Sequence, residues 1–226
     1  MASHLDGPAL VSPPPGCIYR VARSSDPLYP SRIAPEDALQ SKGNRFDVLG
    51  GGIIYFGSTV RGCYAETVSR YRPTATMRKL VNTAGDPGFV FCGGVPKDWR
   101  DQRTVLEARL VDPLPFIDID HPATHEYLTD AIADELSGLG VSTLDVGNIR
   151  GHNRLITRAA SSWAYWAADA NGLKYSGIRY MSRVIADEEC WAVFEGTNIT
   201  EESRRAIAVN DPDLAELADM WGLRIF

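Results

Sequence analysis

The chain has 226 residues, with 23 Lys and Arg against 29 Asp and Glu, a formal net charge of −6. That length can bury a core without disulfide or metal staples, and 44% hydrophobic with 23% charged residues excludes wholesale disorder. The acidic balance, with a pI near 5.2, speaks against a general nucleic-acid binder, and no apolar run reaches the ~18 residues of a membrane-spanning helix. The first 15 residues lack the basic start and apolar core of a secretory signal, so the expectation is a soluble cytoplasmic protein.

Residues 1–16, rich in Pro, Ser and Gly, read as a loose lead-in, with a single domain over 17–226. Ile18 to Ala22 alternates as a strand, and Ser24 to Lys42, interrupted by Pro27, Pro30 and Pro35, reads as loop with one helical turn. Ile53-Ile54-Tyr55-Phe56 is a buried strand candidate. Ser58 or Thr59 then caps a helix running to about Tyr71, whose buried face is Val60, Tyr64, Thr67, Val68 and Tyr71. Six Gly and Pro residues between Asn82 and Gln102 predict loop, broken by a short strand at Phe89-Val90-Phe91. The whole stretch from Pro73 to Arg103 reads as a loop-like insertion. Strands follow at Thr104 to Val111 and Phe116 to Ile119, then helices at Ala123 to Ser137 and Asn153 to Ala170. Two more strands, Gly177 to Met181 and Cys190 to Phe194, precede a tail helix from Asp213 to Trp221. Irregular interspersion without a βαβ rhythm gives an α+β class.

The four cysteines, Cys17, Cys63, Cys92 and Cys190, are far apart and form no Cys-x-x-Cys pair, so they read as reduced thiols. His121 and His125 lie four apart but lack a third ligand, and no metal site is expected. The Gly50-Gly51-Gly52 triplet precedes a strand, whereas a phosphate loop follows one and opens a helix. No Gly-x-Ser-x-Gly elbow supplies a hydrolase nucleophile. At the start of the long helix, Arg154 or Arg158 could bind phosphate, but packing and solvation explain them better. Trp163, Tyr165 and Trp166 on the same helix read as core or interface.

Several short stretches remain unusual. Tyr19-Arg20 puts a charge in a strand; Gly43-Asn44-Arg45-Phe46-Asp47 precedes the apolar strand ending near Tyr55; and Glu66 falls near the apolar side of its helix. Carboxylates seldom sit there unless paired or functional. Tyr180-Met181-Ser182 closes the last but one strand.

In this order and spacing, from Cys17 to Phe194, these pieces resemble the RES-domain family, named for its Arg, Glu and Ser. The matching stretches are Tyr19-Arg20, Gly43-Asn44-Arg45, Ile53-Ile54-Tyr55, Ala65-Glu66-Thr67 and Tyr180-Met181-Ser182. Two departures stand out. Arg45-Phe46-Asp47 replaces the Arg-Trp-Asn of many members, putting a negative charge beside the expected site, and Gly50-Gly51-Gly52 expands a single Gly.

The resemblance implies an ADP-ribosyltransferase-like fold of mixed short-stranded sheets flanked by helices. It also implies a toxin of a bacterial toxin–antitoxin module, with an Xre-type antitoxin as partner and assembly into a dimer or larger complex. NAD would be the substrate, consumed by phosphorolysis or hydrolysis or by ADP-ribosyl transfer to a protein. A domain that only binds a nucleotide or antitoxin is the rival from another class. In the implied site Glu66 stabilises the oxocarbenium-like state of nicotinamide–ribose cleavage. Arg45 first, and Arg20 second, hold the pyrophosphate, for which a planar guanidinium is suited. Tyr55 stacks on nicotinamide or hydrogen-bonds the ribose, with Tyr19 beside Arg20 in the binding set. Ser182 fixes the phosphate or the nicotinamide-ribose end.

Overall fold

The computed structural model describes residues 6–83 and 93–226. The strands of the first half are β1 (Leu10–Val11), β2 (Ile18–Arg23), β3 (Ile53–Gly57), β4 (Gly94–Val95), β5 (Arg103–Leu110) and β6 (Phe116–Asp118). The second half adds β7 (Ala168–Asp169), β8 (Gly172–Leu173), β9 (Gly177–Met181), β10 (Glu189–Phe194), β11 (Ile199–Ala206) and β12 (Arg224–Ile225). The helices are α1 (Val60–Val68), α2 (Ala75–Thr83), α3 (Lys97–Asp101), α4 (Pro122–Ala131), α5 (Ala133–Gly138), α6 (Val146–Arg150), α7 (Arg154–Trp166) and α8 (Pro212–Trp221). The α+β class, with mixed short-stranded sheets flanked by helices, is as expected.

Eight strands form one sheet in the order β1-β6-β9-β10-β3-β2-β5-β11, antiparallel except between β6 and β9. One junction in it is weak. β3 shares five register pairs with β10, and β2 shares six with β5, but β2 and β3 meet only at Tyr19↔Gly57. The sheet therefore divides into two halves hinged at that pair.

Strand alternation sends Ile53 and Tyr55 to one face and Ile54 and Phe56 to the other. On the first face, α4, α5 and α7 cover β9, β10 and β3 with Leu128, Leu136, Ile156 and Ala160. Tyr19, in register with Gly57, belongs to that same face. There the other half, β2 and β5, carries Val21 and Val105 under α1 and α8. Each half thus has its own helical cover on one face, and the two covers flank the hinge. The opposite face is a continuous apolar layer of Ile18, Phe56, Leu106, Phe116 and Trp191.

Helix α1 starts at the hinge, directly after β3. Thr59 caps it, its Oγ1 accepting from Gly62 N–H at 2.9 Å, as the sequence suggested. It is α-helical only to Val68; one 3-10 turn, Ser69–Tyr71, completes the expected length. The fully buried Tyr64 hydroxyl donates to Asp211 Oδ2 at 2.9 Å. Asp211 also caps α8 and pairs with Arg205 of β11. This network fixes α1 to the outer half of the sheet.

Several expectations need correction. Leu10–Val11, within the stretch read as a loose lead-in, pairs with β6 at the sheet edge. The helix expected over Ala123 to Ser137 breaks at Ile132 (φ −126°, ψ 36°), a kink that keeps Leu128, Ile132 and Leu136 all against the core. Helix α7 ends at Trp166 because 168–173 folds back as the β7–β8 hairpin, with Gly172 at φ +112° where the chain leaves the turn into β8. The 73–103 stretch, read as loop, holds α2, β4 and α3; the strand expected at Phe89-Val90-Phe91 lies outside the described residues. Strand β11 was not expected, because its charged residues face solvent at the sheet edge. Among the described residues no helix is long and apolar enough to cross a membrane.

A buried hydrogen bond to a charged acceptor contributes about 2 kcal/mol. Tyr64→Phe is therefore expected to lower unfolding stability by about that much, read from the urea midpoint at unchanged slope.

Candidate active site

A cavity of about 290 Å³ opens at the hinge between the two helical covers. Its wall draws on β2 (Arg20), the turn before β3 (Asn44, Arg45), β3 (Tyr55), α1 (Glu66), the start of α7 (Arg154) and the end of β9 with the residues after it (Tyr180, Arg183). Its charged lining is four arginines and one carboxylate, Glu66. An anion is the complementary ligand.

Arg45 is placed by a tight turn. Gly43 takes φ +75°, and a Cβ there would lie 2.8 Å from Asp47 Oδ2, so glycine is required twice over. Asp47 is 1% exposed and closes the turn, accepting from Asn44 N–H at 2.7 Å and from the Tyr55 hydroxyl at 2.9 Å. Phe46 N–H donates to the Tyr55 oxygen at 3.0 Å. The acid expected beside the anion site is thus turned inward and committed to the turn. Tyr55, whose hydroxyl burial pushes well above its ordinary range, is the clasp that holds it.

Arg45 is 8% exposed, and its guanidinium makes no ion pair among the described residues. It donates from Nη2 to the Ile149 carbonyl at 3.3 Å and sits 4.8 Å and 5.0 Å from the ring centroids of Tyr180 and Phe46. Its Nε is buried without a partner, as are Nη1 of Arg20 and Nη1 of Arg154. Burial lowers the pKa of all three, and for Arg45 and Arg154 the neighbouring Arg183 adds to the effect. Arginine stays charged under such shifts. Three cations facing one cavity therefore carry N–H groups that lack acceptors.

Glu66 stands opposite on α1, exposed into the cleft. Ser182 Oγ, on a residue 2% exposed, donates to Glu66 Oε1 at 2.5 Å. The same oxygen accepts from Val184 N–H at 3.0 Å and Ile185 N–H at 3.2 Å. Those two amides orient the hydroxyl hydrogen towards the carboxylate, which leaves Oε2 for a ligand.

Of the residues singled out in the sequence, the structure gathers Glu66, Arg45, Arg20 and Tyr55 at the cavity, with Ser182 behind Glu66. Tyr19 is not part of the wall; its ring packs with the α1–α8 cluster, and its carbonyl accepts the Cys63 thiol at 3.0 Å. Two further arginines, Arg154, weighed as a phosphate ligand and set aside, and Arg183, noted at the strand end but given no role, also line the cavity. Arg154 follows the α7 cap Asn153, a position read as solvated, and Arg183 directly follows the Ser182 motif. Arg158 is structural as expected, clamping the carbonyls of Ala38, Gln40 and Lys42. Trp163 packs on Tyr127 and Tyr175, while Trp166 is largely exposed. Cys63 and Cys190 also line the cavity, but burial pushes the Cys63 thiol up to about 12 and that of Cys190 higher still, so neither is a nucleophile at neutral pH.

The split sheet thus places one carboxylate across a cavity from four arginines. The RES domain model matches residues 18–215, and the chain belongs to the RES-domain family. A chain from the crystal structure of the M. tuberculosis MbcT–MbcA toxin–antitoxin complex has the same fold at 12% identity and a TM-score of 0.52. That match covers 94% of this chain and 91% of the other. No curated protein sequence matches this one.

Inorganic pyrophosphate is expected to raise the melting temperature. Arg154→Ala should weaken its binding about tenfold by calorimetry, the loss of one charge-assisted contact. With iodoacetamide at pH 8, Cys63 should stay unlabelled in the native protein and react once it is unfolded, as read by peptide mass spectrometry.

Proposed function

We propose that this chain is a toxin-like enzyme that consumes NAD by cleaving its nicotinamide–ribose bond. The observation that carries this reading is the single carboxylate, held by Ser182, in a cavity otherwise charged only by arginines. Family membership supports it, and the similarity to a chain of a toxin–antitoxin complex supports an antitoxin as partner; that this antitoxin is of the Xre type is part of the proposal.

In this reading the pyrophosphate lies against the cationic wall that Arg45, Arg20 and Arg154 give the cavity. The nicotinamide ribose then meets the free Oε2 of Glu66. When the bond from C1′ to the pyridinium nitrogen breaks, its electron pair goes to nitrogen and nicotinamide leaves neutral. Positive charge develops on C1′ and the ring oxygen. A carboxylate fixed beside it stabilises that state more than the ground state, and it also accepts a hydrogen bond from the 2′-hydroxyl. An oxygen of water or of hydrogen phosphate dianion then bonds to C1′; water releases its proton to solvent in doing so, and the products are ADP-ribose or its 1-phosphate.

Nicotinamide release from NAD by the purified chain, with and without phosphate, tests the proposal. Glu66→Gln is expected to lower kcat by about 100-fold or more, as loss of one transition-state electrostatic group does. Arg45→Ala should act mainly on KM. Absence of release by the wild type in either buffer, or a Glu66→Gln variant equal to wild type, would overturn it.

A further inference from the structure

Glu188 lies outside the cavity wall, yet it is 5% exposed and its carboxylate is fully engaged at the first turn of α1. Its Oε2 accepts from Thr59 Oγ1 at 2.5 Å and its Oε1 from Arg61 Nη1 at 2.7 Å. Thr59 is the cap of α1. With its hydrogen donated to Glu188, its oxygen is free to accept from Gly62 N–H. A carboxylate over the start of a helix also complements the helix dipole. Gly62 makes room for it: a Cβ at that position would lie 2.7 Å from Glu188 Oε2.

The segment that carries Glu188 also carries Ser182. Ser182 N–H donates to the Glu188 carbonyl at 2.8 Å, and Glu188 N–H to the Ile185 carbonyl at 3.2 Å, so 182–188 is a closed turn between β9 and β10. This turn grips α1 at two levels. Glu188 holds the first helical turn through Thr59 and Arg61, and Ser182 holds Glu66, one helical turn beyond Gly62 on the same face. A change at the first grip shifts the helix relative to the second.

We infer that Glu188 is a positioning residue for Glu66, fixing the register of α1 against the 182–188 turn so that the Ser182–Glu66 hydrogen bond is made. The catalytic consequence rests on the reading of Glu66 given above; the positioning itself does not. It also gives a reason for glycine at the fourth position before Glu66, where alanine would be the better helix former.

The test follows the Glu66 side-chain carboxyl carbon by NMR in wild type, Ser182→Ala and Glu188→Ala, alongside NAD cleavage. Glu188→Ala is expected to move that resonance in the direction Ser182→Ala moves it, and to lower kcat at least tenfold with KM within about threefold. Glu188→Gln keeps an acceptor for Thr59 but loses the one for Arg61, so its kcat should lie between those of Glu188→Ala and wild type. Should Glu188→Ala fail to fold, Thr59→Val removes the bridging hydroxyl at nearly constant volume and should move the resonance likewise. A Glu66 resonance unmoved in the folded variant overturns the inference, whatever the activity. Wild-type protein that releases no nicotinamide would overturn the NAD reading instead, and the resonance would still decide the role of Glu188.

Discussion

A guanidinium taken out of water with a donor left unpaired costs stability, and a cluster of such cations around one cavity is held there against their mutual repulsion. The hinge cavity keeps three, on Arg20, Arg45 and Arg154, with Arg183 close enough to two of them to add repulsion. Much of the surrounding structure bears on that tension. Aromatic faces and backbone carbonyls hold Arg45 without neutralising it. Asp47, the acid nearest in sequence, is bound into its own turn by Tyr55. The cationic field of the cleft is thereby preserved for a ligand.

Glu66 is the counterpart. It faces the arginines without forming an ion pair with any of them among the described residues; its hydrogen-bond partner is the neutral hydroxyl of Ser182. That arrangement depends on α1 being held from both sides of the hinge. Tyr64 ties it to Asp211 in the outer half, and the 182–188 turn ties it to β9 and β10 in the inner half. With β2 and β3 joined at a single register pair, α1 is a second bridge between the two halves.

The sequence was most readable where a short local pattern determines the outcome. The run of Ile53 to Phe56, the cap at Thr59 and the strand Gly177 to Met181 all form where their patterns place them. Glu66, Arg45, Arg20 and Tyr55 were found through ordered motifs and converge in space. The rest depends on long-range geometry. Arg154 and Arg183 look like surface cations until α7 and the 182–188 turn are brought to the hinge. Ser182 and Tyr55 also hold Glu66 and the Arg45 turn, contacts set by hydrogen-bond partners far away in the chain. Strand β11 hides because an edge strand with a charged outer side lacks the alternation of a half-buried one.

The most direct measurement is a crystal structure of the Glu66→Gln variant with NAD. The account predicts the pyrophosphate against Arg45, with Arg20 and Arg154 closing on it, and the nicotinamide ribose beside residue 66 with its bond intact. A dinucleotide bound outside the hinge cavity, or bound there with its ribose turned away from residue 66, would contradict it.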